Sequence, residues 1–268
     1  MTCPNCAEGF VLPGEPTGSI QPEYEGAYHA QAPTGESKQA VLLLTDGFGL
    51  DLKNCKILAD RISSRLGCDV WVPDYFKGRP LVAASNLRAP DRAGVKFSVW
   101  DWIGFIVSTI PYIPAFISSR PAVVDKRVTE FIALVKEKKH YEKIGMVGYC
   151  YGGSTTARFA GKNVIDSAVI CHPGGVSFAE VEAVRVPTSW VCAEDDLFWS
   201  SEKRMKTEAI FASRQEKGNA IDYEFKDYKG TAHGFAARPN LNLPEVKEAY
   251  EQAFEQTVHW FEKTLSAN

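Results

Sequence analysis

The stretch "KIGMVGYCYGGSTTARFAG", residues 143–161, decides how this chain is read. Its first seven residues suit a strand covered on both faces. Glycines 148, 152 and 153 then mark a tight turn, and a helix follows. Cys150 stands at the centre of a G-x-C-x-G frame. A side chain held there projects from a strained turn at the carboxyl end of a sheet, where the next helix's N-terminus favours negative charge. A thiol so placed has its thiolate stabilised. The competing reading is a buried structural cysteine, and the frame alone does not separate the two.

Working outward, the same alternation recurs. "AVLLLTD" (40–46), "DVWVPDYF" (69–76), "DSAVICH" (166–172) and "TSWVCAE" (188–194) read as buried strands, and "IDYEFKDY" (221–228) as a last strand with alternating polar residues. Between them lie helical patterns: "NCKILADRISSRLG" (54–67), ending in Gly67; "VTEFIALVKEKK" (128–139); and "SSEKRMKTEAIFASRQEKG" (200–218). Residues 244–265 repeat apolar positions on one helical face, with Pro244 at the start. Strict alternation predicts an α/β chain with a mostly parallel sheet and helices on both faces. Residues 78–120, rich in Trp, Phe, Ile and Pro, break it and are expected to form a wall or lid over one end of the sheet. The whole of 1–268 reads as a single domain.

Composition narrows the function. The chain of 268 residues is 45% hydrophobic and 24% charged, with a net charge of −3. No basic stripe calls for nucleic acid. The N-terminus lacks a signal-peptide pattern. The longest apolar stretch (102–117), broken by Pro111 and Pro114, reads as too short to span a bilayer. A cytoplasmic protein with no membrane partner is expected, either monomer or homodimer. Seven scattered cysteines exclude a disulfide scaffold. Cys3 and Cys6 form a C-x-x-C with no second pair to complete a zinc site, so no metal is expected.

A nucleophile on such an elbow is followed in the chain by an acid and then a histidine. "VCAEDDLF" supplies acids after the next-but-one strand, and "YKGTAHGFAARP" supplies His233 after the last. His29 and His140 read as surface residues and His259 as part of the last helix. His172 follows a strand end but precedes the acid, so it reads as a pocket residue.

Together "TDGFGLD", "VWVPDYFKG", "GYCYGG", "CAEDDLF" and "TAHGFAARP", in that order over residues 40–240, resemble the dienelactone hydrolase family of α/β-hydrolases. The N-terminal "CPNC…GF…GEPTG" is similar to fungal members. The resemblance implies an α/β-hydrolase fold and a cofactor-free hydrolase of esters or lactones. It assigns the nucleophile to Cys150 and the base to His233. Counted from Pro187 and from Phe198, the acid falls on Asp196 rather than Asp195. The backbone N–H groups of Tyr151 and Gly47 match the oxyanion donors. Asp46 matches a carboxylate that helps activate the thiol, a glutamate in bacterial members. The family's substrate-carboxylate arginine falls on Ala237, with Arg238 next to it; Arg79 and Arg88 lie in the region of a second one. Arg238 is therefore expected either in the pocket or in solvent. The leading expectation is a thiol hydrolase of small esters or lactones. The alternatives are a tailoring hydrolase of a larger aromatic or polyketide lactone and a non-catalytic binding protein on the same fold.

Overall fold

A computed structural model describes residues 10–83, 90–95, 98–216 and 218–266. Cys3, Cys6 and Arg88 lie outside them. Eight strands form one sheet: β1 (Ser19–Gln21), β2 (Ala27–Ala30), β3 (Gln39–Leu44), β4 (Asp69–Val72), β5 (Lys143–Tyr149), β6 (Ser167–Cys171), β7 (Thr188–Asp195) and β8 (Tyr223–Ala232). Their order is β1-β2-β4-β3-β5-β6-β7-β8. From β4 to β8 every pair is parallel, whereas β1 and β2 add an antiparallel edge.

Alternate residues of the central strands point to opposite faces, as the two-residue period of a strand requires. Val41, Leu43, Val147 and Val169 enter one core, under α1 (Asn54–Leu66) and α8 (Pro244–Leu265). Leu42, Leu44, Met146 and Ile170 enter the other. That second core is covered by α4 (Pro121–Lys139), α5 (Tyr151–Phe159), α6 (Phe178–Glu182) and α7 (Ser201–Glu216), and it also takes in Ala115. Both faces of the sheet are therefore dry, and its chemistry is confined to the ends of the strands.

The antiparallel edge corrects one sequence expectation. His29 lies in β2, is buried, and stacks at 3.9 Å on Trp71 with Nε2 3.2 Å from Asp69. The strand has four residues, all buried, and so carries no alternation to betray it.

The segment expected as wall or lid contains α2 (Val99–Thr109) and α3 (Ile113–Ser118), joined by a 3₁₀ turn. Ser98 caps α2 by a reciprocal pair of bonds with Asp101. The prolines do not break the run. Pro111 and Pro114 each sit in the first turn of a new helical piece, where a missing N–H costs nothing. The expectation that this apolar stretch is too short therefore fails on length. Val99–Ser118 counts 20 residues with a mean hydropathy of 1.2, enough by length and composition to cross a membrane, and only 6% of it is buried.

Candidate active site

β5 ends at Tyr149 and α5 begins at Tyr151, so Cys150 alone makes the turn between them. Its backbone takes φ 53° and ψ −111°, a conformation costing about 1–3 kcal/mol in a residue with a Cβ. Three backbone bonds hold it: the Cys150 N–H donates to the Cys171 carbonyl, and the Cys150 carbonyl accepts from the Ser154 and Gly174 N–H groups, with the Ser154 hydroxyl adding a fourth bond at 3.4 Å. The turn closes only because its flanks are bare. A Cβ on Gly148 would lie 2.1 Å from the Gly152 carbonyl oxygen, and one on Gly152 2.3 Å from that of Leu44. Tyr151 and Gly47 present backbone N–H groups that have no protein acceptor among the described residues.

His233 follows β8, and Asp196 follows β7. The His233 Nδ1 lies 2.9 Å from Asp196 Oδ2. Asp196 Oδ1 accepts from the Phe198 and Trp199 N–H groups at 2.8 and 3.0 Å, so both oxygens are engaged. Asp195 lines the cavity around Cys150 but bonds differently, its Oδ2 accepting from the Gly94 N–H. The His233 Nε2 is buried without a hydrogen-bond partner. Burial by itself makes imidazole less basic. Electrostatic interaction with Cys150, then the hydrogen bond and charge of Asp196, outweigh it and raise His233 to about 10. For Asp196, burial opposes ionisation, and the bond from His233 more than offsets it, leaving the carboxyl below its usual range.

His172 differs from its expected placement. It is fully buried and is not among the residues lining the cavity around Cys150. Its left-handed backbone (φ 33°) turns it behind His233, 5.1 Å from that ring, against Tyr149 and Phe235. Burial, then repulsion from His233, pushes it well below the ordinary histidine range, so it is neutral.

Arg238 lines the cavity and is buried. Its Nε donates to Asp46 Oδ2 at 2.8 Å, and both side chains are nearly enclosed. Asp46 Oδ1 accepts from the Phe48 N–H. Arg79 is exposed and does not line the cavity.

The cavity itself is about 650 Å³ and mostly apolar. Cys150, His233 and Gly47 line it, with Phe105 and Phe116 from the inner side of α2 and α3. Two further lining residues are Phe198, which served in the sequence only to place the acid, and Arg158, which the sequence reading did not single out. Phe198 sets its ring edge-on to His233 at 4.9 Å. Arg158 lies two helical turns beyond Cys150, and spacing along α5 from Tyr151 through Ser154 would have found it.

A parallel sheet wrapped by helices, with an elbow cysteine after β5 and an acid and a histidine after later strands, defines an α/β-hydrolase. The dienelactone hydrolase family model matches residues 26–265, and the chain belongs to that family. It is accordingly a hydrolase acting on carboxylic ester or lactone bonds. Hydrolase tropI of Talaromyces stipitatus is 30% identical, covering 97% of this chain and 95% of its own length. A carboxymethylenebutenolidase homolog of Homo sapiens is 26% identical, covering 92% and 90%. Among solved structures, a dienelactone hydrolase-like promiscuous phosphotriesterase from metagenomic libraries aligns with TM-score 0.62 at 16% identity, covering 89% of this chain and 92% of that one. The dienelactone hydrolase of Anabaena variabilis aligns with TM-score 0.55 at 11%, covering 89% and 91%; both likenesses concern the fold.

Proposed function

We propose that the chain is a single-domain cysteine hydrolase that works through an acyl-enzyme. The observation that carries this reading is the His233 ring. One nitrogen is fixed on Asp196, and the other is buried on the side of Cys150, which raises the ring's basicity. The Cys150 thiolate adds to the carbonyl carbon, and the C=O electron pair moves to oxygen between the Tyr151 and Gly47 N–H groups. As the C–O bond to the leaving group breaks, His233 gives that oxygen its proton. Neutral His233 then takes a proton from water, whose oxygen attacks the thioester and restores the thiolate. Asp196 holds the imidazole in the tautomer both steps need.

Asp46 and Arg238 neutralise each other in the resting site. A substrate carboxylate near the reacting carbonyl would compete with Asp46 for the guanidinium and free Asp46 towards the thiol. The cavity volume favours a second reading of the substrate, in which larger aromatic or polyketide lactones are accepted. Rapid mixing with a p-nitrophenyl ester followed by intact-mass measurement tests the chemistry. An added acyl mass on the Cys150 peptide, lost in Cys150→Ala, is expected. Full turnover by Cys150→Ala would overturn the proposal.

A further inference from the structure

Cys150, Tyr151, Ser154 and Arg158 all line the cavity, and all but Cys150 lie on one face of α5. The spacing of three and four places them one above another. The cavity therefore runs along the helix from the thiol to Arg158. Eight residues at 1.5 Å rise give roughly 12 Å. Because helical side chains lean towards the N-terminus, the guanidinium lies nearer than that, and its Nη2 reaches Thr155 Oγ1 at 3.0 Å. The span from Sγ to guanidinium is thus roughly 8–12 Å.

At that far end the charges do not balance. Asp125 of α4 receives Arg158 through Nε (3.0 Å) and Nη2 (2.8 Å), and Lys162 through Nζ (3.0 Å). One carboxylate serves two cations, and Arg158 is mostly enclosed, with 14% of its side chain exposed. Its Nη1 has no protein partner among the described residues. Between this end and Cys150 the wall is the Tyr151 ring, Ser154 and the bare backbone of Gly174 and Gly175. A Cβ on Gly174 would meet Ser154 Oγ at 3.6 Å and the Cys150 carbonyl at 3.7 Å, so glycine keeps this passage wide.

We propose that Arg158 is a specificity-determining residue: the cavity takes an elongated, largely apolar acyl group that carries a carboxylate, or another anionic oxygen, at its far end against Nη1. This rests on the cysteine-hydrolase reading above. The acyl side is indicated because His233 must protonate the leaving oxygen. The leaving group therefore lies towards His233 and Phe198, and the acyl group takes the other direction, along α5.

The test uses mono-p-nitrophenyl esters of succinic, adipic, suberic and sebacic acids, each paired with its methyl ester at the far carboxyl. Wild type, Arg158→Gln and Arg158→Lys are compared by kcat/KM, with thermal melts alongside. The expected result is a preference for the free acid that grows with length. It should fall roughly 10- to 100-fold in Arg158→Gln, the worth of a charge-assisted hydrogen bond, and appear mainly in KM. Arg158→Lys, which keeps the charge on Asp125 but loses the planar fork, should lose part of it, and it serves if the glutamine variant does not fold. An acid-to-ester ratio unchanged at every length, or equal losses on both members of a pair, would overturn the assignment. Failure of wild type to turn over p-nitrophenyl acetate would instead remove the hydrolase reading itself.

Discussion

His233 is made more basic by two neighbours, Cys150 and Asp196. With its basicity raised from 6.5 to about 10, the ring adds stability that is complete below about pH 6.5 and fades as pH climbs through about 10. The same proton is the one handed to the leaving group, so kcat/KM should decline on the alkaline side towards about pH 10. Removing the Asp196 charge removes one raising cause. Asp196→Asn is expected to shift that alkaline limb to lower pH and to cut turnover by roughly 10³-fold or more. Asp195→Asn should leave the limb in place. A pH–rate profile of the three proteins checks both points, with the limb assigned to the coupled pair rather than to one group. The buried partners of the site respond differently. Arg238→Ala strands the Asp46 carboxylate in an enclosed place, and a loss of about 3–5 kcal/mol is expected in urea unfolding. Adding Asp46→Asn should recover much of it, because the amide oxygen still accepts from Phe48 while the charge is gone. Residues with a fixed station in the chain were legible beforehand. The elbow announces Cys150 by its glycines, and only His233 among the histidines falls in the loop between the last strand and the last helix. His172 was not placed correctly, because a single left-handed φ decides whether a residue faces the cavity or lies behind it. Arg158 was passed over because an arginine on a helix normally points to water, although its spacing from Tyr151 and Ser154 puts it on the cavity face of α5.

At the scale of the elements, the crossing of β5 and α5 is the tightest joint in the site. A Cβ on Gly152 would fall 2.3 Å from the Leu44 carbonyl oxygen, which is backbone and has no rotamer to yield. Gly152→Ala must therefore push α5 away from β3 and carry the Tyr151 N–H with it. The expected outcome is a large drop in melting temperature, with residual activity falling further than that of an equally destabilised variant elsewhere. Gly175→Ala, where nothing lies within 4 Å of the new Cβ, supplies a contrast, although its φ of 150° adds some strain of its own. The central strands were readable because both of their faces are dry, which forces continuous apolar runs. β1 and β2 were not, being three and four residues long and set on an edge. α2 and α3 escaped for another reason. Their apolar residues do not repeat with one face of a helix but occur all round it, so no stripe marks a boundary, and the prolines look like breaks until each is seen opening a new turn.

Taken whole, the molecule places an unusual share of its exposed apolar surface on one feature. Val99, Trp100, Ile106, Val107, Ile110 and Ile117 all stand in solvent on α2, α3 and the turn between them. Phe105 and Phe116 of the same run face the cavity. Contiguous exposed patches of this kind favour self-association. The double variant Ile106→Gln, Val107→Gln is expected to sediment as a smaller species at high protein concentration and to bind less of an apolar dye. Unchanged sedimentation and dye binding would show that the patch is not sticky. The same feature also has an optical consequence. Trp71, Trp190, Trp199 and Trp260 are enclosed, whereas Trp100, on α2, is 79% exposed. Iodide should therefore quench a red-shifted part of the emission and spare that of those four, with Trp100→Phe lowering the quenchable part. Whatever settles on this helix, whether a long substrate or another copy of the chain, will change the colour and the quenching of the Trp100 indole, giving a signal of occupancy that needs no label and no turnover.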